Sequence, residues 1–249
     1  MREGDSLMNV GPSKNRIREL SAVFPAYNES TSIEVSIHEA LSALVDICVQ
    51  WELIVVDDGS TDNTLEILKR LEGEHRNLRV ISYTPNRGYA WALRTGFDAC
   101  RYDLIFYSDA DAQFDLHEIM KLYEEIDRAD MVVGYRKDRK DPFIRIIYSR
   151  TYNLLQRAIL GIRARDINCA FKLYRKEFLS MIPLTADHFV IDAEFFARAG
   201  IIGARVIEVP VTHHPRKLGS STVSVKTICR TLKGMRALRK DLASWKPEN

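Results

Sequence analysis

The sequence predicts an α/β protein whose mainly parallel sheet carries helices on both faces, and three observations support that reading. Short apolar runs rich in β-branched and aromatic residues alternate with stretches of helical period. Polar, turn-forming residues collect at the end of each run. The 249 residues are 46% apolar and 28% charged, which suits one large domain or two small ones. The same composition excludes wholesale disorder, collagen and a disulfide mini-scaffold.

Residues 1–18 are polar and are expected to be flexible. Strands are expected at 21–27, 52–57, 78–83, 103–108 and 131–134, four of them β-branched or aromatic in character. Thr31 and Glu34 have the spacing of a capping box, opening a helix that runs through Leu44. Segments 62–71, 88–100 and 116–127 supply the next three helices. Repeated strand, helix, strand order implies right-handed crossovers, and ligands then bind beyond the carboxyl ends of the strands.

Those ends read Pro25-Ala26-Tyr27-Asn28-Glu29, Asp57-Asp58-Gly59-Ser60, Asn86-Arg87-Gly88 and Asp109-Ala110-Asp111-Ala112-Gln113. No G-x-G-x-x-G fingerprint or Walker A loop accompanies them, so a dehydrogenase or an ATPase is not indicated. In an extended segment Asp109, Asp111 and Gln113 point to one face, an oxygen set that suits Mg²⁺ or Mn²⁺ with a diphosphate completing the shell. A solvated polar loop is the competing reading of an isolated D-x-D.

Charge divides the chain. Up to Gly134 there are 13 basic and 24 acidic residues; after it there are 23 and 10. An acidic half suited to a cation thus precedes a basic half suited to phosphates or an anionic membrane surface. Cys48, Cys100, Cys169 and Cys229 lack close C-x-x-C spacing and read as reduced core thiols. Neither a membrane span nor a signal-peptide core is visible, so the expected place is the cytoplasm, with peripheral membrane contact.

With these motifs in view, the chain resembles the family 2 glycosyltransferases of the GT-A fold, and among them dolichol-phosphate mannosyltransferase and related polyprenyl-phosphate glycosyltransferases. The resemblance runs from about 20 to 223 and adds Val56-Asp57-Asp58-Gly59-Ser60-Thr61-Asp62, Val133-Gly134-Tyr135-Arg136, Arg145 with Ser149, and Glu208-Val209-Pro210-Val211 followed by Arg216 and Gly219-Ser220. It implies a Rossmann-like catalytic domain over 19–221, with the nucleotide and metal half ending near 134 and the acceptor half after it. Residues 222–249 would then form a basic amphipathic helix and tail.

By resemblance, Pro25, Tyr27, Glu29, Val55 and Asp57 line the nucleotide pocket. Asp109, Ala110 and Asp111 meet the diphosphate, the two carboxylates through the metal, and Gln113 assists. Asp57-Asp58-Gly59-Ser60 is equally a good turn and N-cap sequence. The chain departs from the family pattern at Asp166-Ile167-Asn168-Cys169-Ala170-Phe171-Lys172, and it has Thr222 where the mannosyltransferase has Lys, leaving Lys217 as a substitute cation. Membrane helices that follow the catalytic domain in some members are not seen.

Segment 142–163 follows an N-cap Asp141 and opens on Pro; it carries Arg145, Arg150, Arg157 and Arg163 with no acidic residue. It reads either as an interfacial helix or as a core helix with an arginine-rich face. The chain closes on a second basic helix, with Leu232, Met235, Leu238 and Leu242 at helical spacing among Lys233, Arg236, Arg239 and Lys240. No nucleic-acid recognition motif accompanies these cations, so nucleic acid is not an expected partner.

A lipid phosphate is ionised near neutrality and attacks without a base, whereas a sugar hydroxyl needs one. Arg136, Arg145, Ser149 and Arg216 are the expected acceptor-phosphate contacts, Arg216 also reaching the donor. Asp192 and Glu194 are the base candidates, unless they bind Arg198 or cap a helix. His213 and His214 either orient Arg216 or simply end a strand. The expected activity is metal-dependent, inverting transfer of a hexose from a nucleoside diphosphate sugar, GDP-mannose or a UDP-hexose, to a polyprenyl phosphate. Its alternatives are transfer to a soluble hydroxyl and a non-enzymatic nucleotide-sugar-binding membrane adaptor.

Overall fold

The structure, a computed structural model, describes residues 16–137, 143–215 and 225–247, with side chains of the helices that follow the two gaps described from Thr151 and Thr231. Most of the expected flexible start lies outside this set, and its last two residues already belong to a strand. The order is β1 (Ile17–Ala26), α1 (Ile33–Ile47), β2 (Cys48–Asp57), α2 (Thr64–Glu74), β3 (Leu78–Ser82), α3 (Tyr89–Asp98), β4 (Leu104–Ser108), α4 (Ile119–Tyr123), β5 (Met131–Lys137), α5 (Phe143–Leu160), β6 (Phe171–Arg175), α6 (Lys176–Met181), α7 (Val190–Ile201), β7 (Val206–Thr212) and α8 (Val225–Ser244).

The strands form one sheet in the order β3-β2-β1-β4-β6-β5-β7. β6 runs antiparallel to both neighbours, and the other pairings are parallel. Ala26 lies opposite Asp57, and Asp57 opposite Ser82, so the carboxyl ends of β1, β2 and β3 finish level. Val23 lies opposite Tyr107, which brings the segment after β4 to the same edge.

Alternation along the strands divides the core. Phe24, Leu53 and Val55 pack toward α1 and α2, while Val23, Ile54 and Val56 pack toward α3 and α7. α7 is buried nearly all round because α8 covers it: Met235 and Leu238 pack on Val190, with Tyr152 and Ile159 of α5 beside them. Gly234 permits this approach, since a Cβ there would lie 3.0 Å from Val190 Cγ2.

Several local expectations need correction. The Thr31/Glu34 capping box does not form. Ser32 precedes the helix, and Glu29 closes the turn by accepting the Ser32 and Ile33 N–H groups on its carbonyl, at 2.9 and 2.8 Å. The expected helix over 116–127 is broken into two short 3-10 turns around α4. From Thr231 onward α8 packs Met235 and Leu238 inward, while Lys233, Arg236, Arg239 and Lys240 are exposed. On α5, Asn153 and Gln156 are buried while Leu154 and Leu155 are 63% and 37% exposed, so it is neither wholly core nor wholly surface. Cys48, Cys100 and Cys169 are buried and free, and burial pushes the Cys48 and Cys100 thiols up to about 12.

Candidate active site

The loops after β1 and β2 are stitched to each other. Asn28, at φ +54°, donates its N–H to Ser60 Oγ at 2.9 Å and accepts the Thr61 N–H on Oδ1 at 2.8 Å. Glu29 N–H reaches Thr64 Oγ1 at 2.9 Å, and Ser30 N–H reaches Asp62. Pro25 is buried behind this seam, Tyr27 is exposed in front of it, and Glu29 is half-buried. Val55, expected among the pocket liners, is fully buried in the core, so its side chain lines no open surface.

Asp57 and Asp58 do different work. Asp57 is buried, with Ser82 Oγ donating to Oδ2 at 2.9 Å and Ser60 N–H to Oδ1 at 3.3 Å. Asp58 holds the loop after β3: Asn86 Nδ2, Arg87 N–H and Gly88 N–H each donate to it at 2.8 Å. Gly59 is required at this crossing, because its φ is +69° and a Cβ would lie 2.8 Å from Asn86 N.

The segment after β4 is not extended, as alternation had suggested. It bends, and Ala112 takes φ +54°. Asp109 is half-buried and accepts from the Tyr89 hydroxyl at 3.1 Å. Lost hydration and the charges of Asp111 and Asp192 push its carboxyl up to about 7, against the smaller opposing effects of Tyr89 and Lys172. Gln113 is tied to the end of β7: its Nε2 donates to the His214 carbonyl and its backbone carbonyl accepts the His214 N–H, both at 2.8 Å. The side chain therefore ties the end of β7 to the bend. His213 is buried edge-on against Phe114, centroids 5.1 Å apart, and His214 is exposed.

Among the described residues, no cluster of three or more His, Cys, Asp or Glu side chains is arranged for a metal. Asp109 and Asp111 nevertheless fit a divalent cation in the chemistry of their donors, two like-charged carboxylates at a partly desolvated edge whose mutual repulsion a cation relieves.

The base candidates are occupied. Asp192 accepts from the buried ammonium of Lys172 and from the Tyr107 hydroxyl, and Lys172 also donates to Tyr107 Oη at 2.7 Å. Glu194 accepts the Thr185 N–H at 3.0 Å, the Ala186 N–H at 2.8 Å and Arg198 Nε at 2.9 Å. The pairing with Arg198 weighed from the sequence is thus the one present, and Arg198 continues to Asp241 of α8 at 2.6 Å. Arg136 makes a two-pronged pair with Asp166, at 2.6 and 2.8 Å, so the aspartate that opens the segment departing from the family pattern is its counter-ion. Arg216, Lys217 and Thr222 lie outside the described residues, as do the side chains of Arg145 and Ser149.

Sequence reasoning passed over Tyr89 and the pairing of Lys172. A lysine inside the apolar strand Phe171-Lys172-Leu173 was the available signal, since a buried ammonium needs a partner.

A model of the family described as glycosyl transferase family 2 matches residues 21–182. The chain belongs to that family. Two curated relatives of this family 2 glycosyltransferase are a dodecaprenyl-phosphate galacturonate synthase of Rhizobium johnstonii, 36% identical over 86% of this chain, and an undecaprenyl-phosphate 4-deoxy-4-formamido-L-arabinose transferase of Pectobacterium atrosepticum, 33% identical over 84%. The chain spans 64% and 63% of their lengths. Glucosyl-3-phosphoglycerate synthase from Mycobacterium tuberculosis, solved with Mn²⁺, UDP and glucosyl-3-phosphoglycerate, shares the fold: the TM-score is 0.67 at 20% identity, over 93% of this chain and 82% of that one.

Proposed function

We propose that this family 2 glycosyltransferase moves a sugar from a nucleoside diphosphate donor to a polyprenyl phosphate in one inverting displacement. The occupied state of Asp192 and Glu194 carries the choice of acceptor. A hydroxyl acceptor requires a carboxylate free to take its proton, and both candidates already accept from buried cations. A phosphate monoester with a second pKa of about 6 requires none. The names of the relatives agree, as both act on polyprenyl phosphates.

In this reading the donor base lies near Tyr27 and Asp57, and the diphosphate lies at Asp109 and Asp111. Those two carboxylates would hold Mg²⁺ or Mn²⁺, which supplies charge neutralisation of the leaving diphosphate. Arg136, Arg145, Ser149 and Arg216 remain the proposed acceptor contacts, with Asp166 setting the orientation of the Arg136 fork. The exposed cations of α8 favour contact with an anionic membrane by charge alone, each contributing about 1 kcal/mol near the surface. No described helix is long and apolar enough to cross a membrane.

A product assay tests the reading by crossing UDP-hexoses and GDP-mannose with short polyprenyl phosphates and with soluble sugars, with and without Mn²⁺. Glycosylated lipid phosphate made only with metal is expected. Transfer to soluble hydroxyls that Asp192→Asn abolishes would establish the hydroxyl reading instead.

A further inference from the structure

On the side of the sheet covered by α3 and α7, two loops touch beside Asp109. Gly88, at φ +94°, would place a Cβ 3.2 Å from His188 Nδ1. One residue further, the Tyr89 ring packs on Phe189 with centroids 5.2 Å apart, while its hydroxyl holds Asp109. His188 has φ +53°, a left-handed conformation that a residue with a Cβ disfavours.

That conformation is held from both sides. Glu194 accepts the Thr185 and Ala186 N–H groups, and Arg94 Nη1 donates to the Leu184 and Ala186 carbonyls at 3.3 and 2.8 Å. Strained backbone persists where its surroundings over-determine it, commonly at a ligand clamp. The His188 imidazole is half-buried and makes no side-chain hydrogen bond with a described residue.

We propose that His188 is a specificity-determining contact for the transferred sugar of the donor. The inference rests on the nucleotide-sugar reading above. With the base near the ends of β1 and β2 and the diphosphate at Asp109, the sugar continues away from Asp57. On the α3 and α7 side Asp109 meets Tyr89, whose ring carries Phe189, with His188 against Gly88 one residue before it. A neutral imidazole donates with one nitrogen and accepts with the other, which suits a sugar hydroxyl. Phe189, 37% exposed, offers an apolar face to the sugar ring, and Gly88 leaves room beside the imidazole.

Calorimetric titration of the full chain with Mn²⁺ present tests this by comparing UDP with UDP-hexoses and GDP with GDP-mannose. His188→Gly, which also suits the left-handed backbone, should bind the diphosphates as the parent does and lose about tenfold in affinity for the sugar nucleotide. Its melting temperature should not fall. His188→Gln, which keeps a donor and an acceptor, should recover part of the loss. Full sugar-nucleotide affinity in His188→Gly, or equal losses for diphosphate and sugar nucleotide, would overturn the assignment. A parent chain that binds none of the sugar nucleotides would overturn the donor reading itself, and this inference with it.

Discussion

Lys172, the second residue of β6, donates to Asp192 in the first turn of α7, and the two are 0% and 3% exposed. Two opposite charges have been taken from water together, and each makes the other tolerable. Tyr107 completes the set by donating to the carboxylate and accepting from the ammonium.

Removing one partner is therefore expected to cost far more than removing both. Lys172→Met should lower stability by about 3–5 kcal/mol, and adding Asp192→Leu should restore most of it. Urea denaturation of the single and double variants reads this directly. Additive losses would mean that the pair is not the anchor of α7 on the sheet.

Asp109→Asn should stabilise the metal-free protein while removing Mn²⁺ binding and transfer. The Asp109 carboxyl stands at about 7 in the folded chain against an ordinary 3.8. Its contribution to stability is thus present below the unfolded value and is lost as pH rises through about 7. Asparagine carries no charge, so the variant should melt higher than the parent at pH 8, and the gap should close toward pH 4. A lower melting temperature for the variant at pH 8 would contradict the charge assignment.

His117 spans two elements, its protonated ring donating to Asp46 of α1 at 3.3 Å and to Asp115 at 3.2 Å. Partial burial lowers its pKa, but those contacts carry it above the ordinary histidine value. The stabilisation is present below the unfolded pKa and disappears as pH rises through the folded one. His117→Gln should accordingly lower the melting temperature at pH 5.5 and leave it nearly unchanged at pH 8.5. A deficit independent of pH would indicate packing instead.

Gly96 seats α3 on the sheet, since a Cβ there would lie 2.2 Å from Val23 Cγ1. Gly96→Ala should cost about 1–3 kcal/mol by overpacking, and Val23→Ala in the same chain should relieve part of it. Because α3 carries Tyr89 to Asp109, the single variant should also weaken Mn²⁺ binding, which titration would measure.

Much of this protein was determined by local sequence. β-branched runs, helical periods and turn residues placed the first five strands and first three helices in their order and put Asp57, Asp58, Asp109 and Asp111 at one edge, because periodicity and turn chemistry depend on neighbours along the chain. The strands still reach further than those signals, to Ile17 at one end of β1 and to Lys137 in β5, since pairing with a neighbour extends a strand without regard to its own composition. Tertiary structure alone decided which charges face a ligand and which face one another. Asp58 meets the loop 28 residues on, Arg136 finds Asp166 across 30, and Arg198 finds Asp241 across 43. A carboxylate has the same local signature whether it awaits a metal or holds a buried cation. Only the element that folds against it excludes water and supplies the countercharge that separates the two.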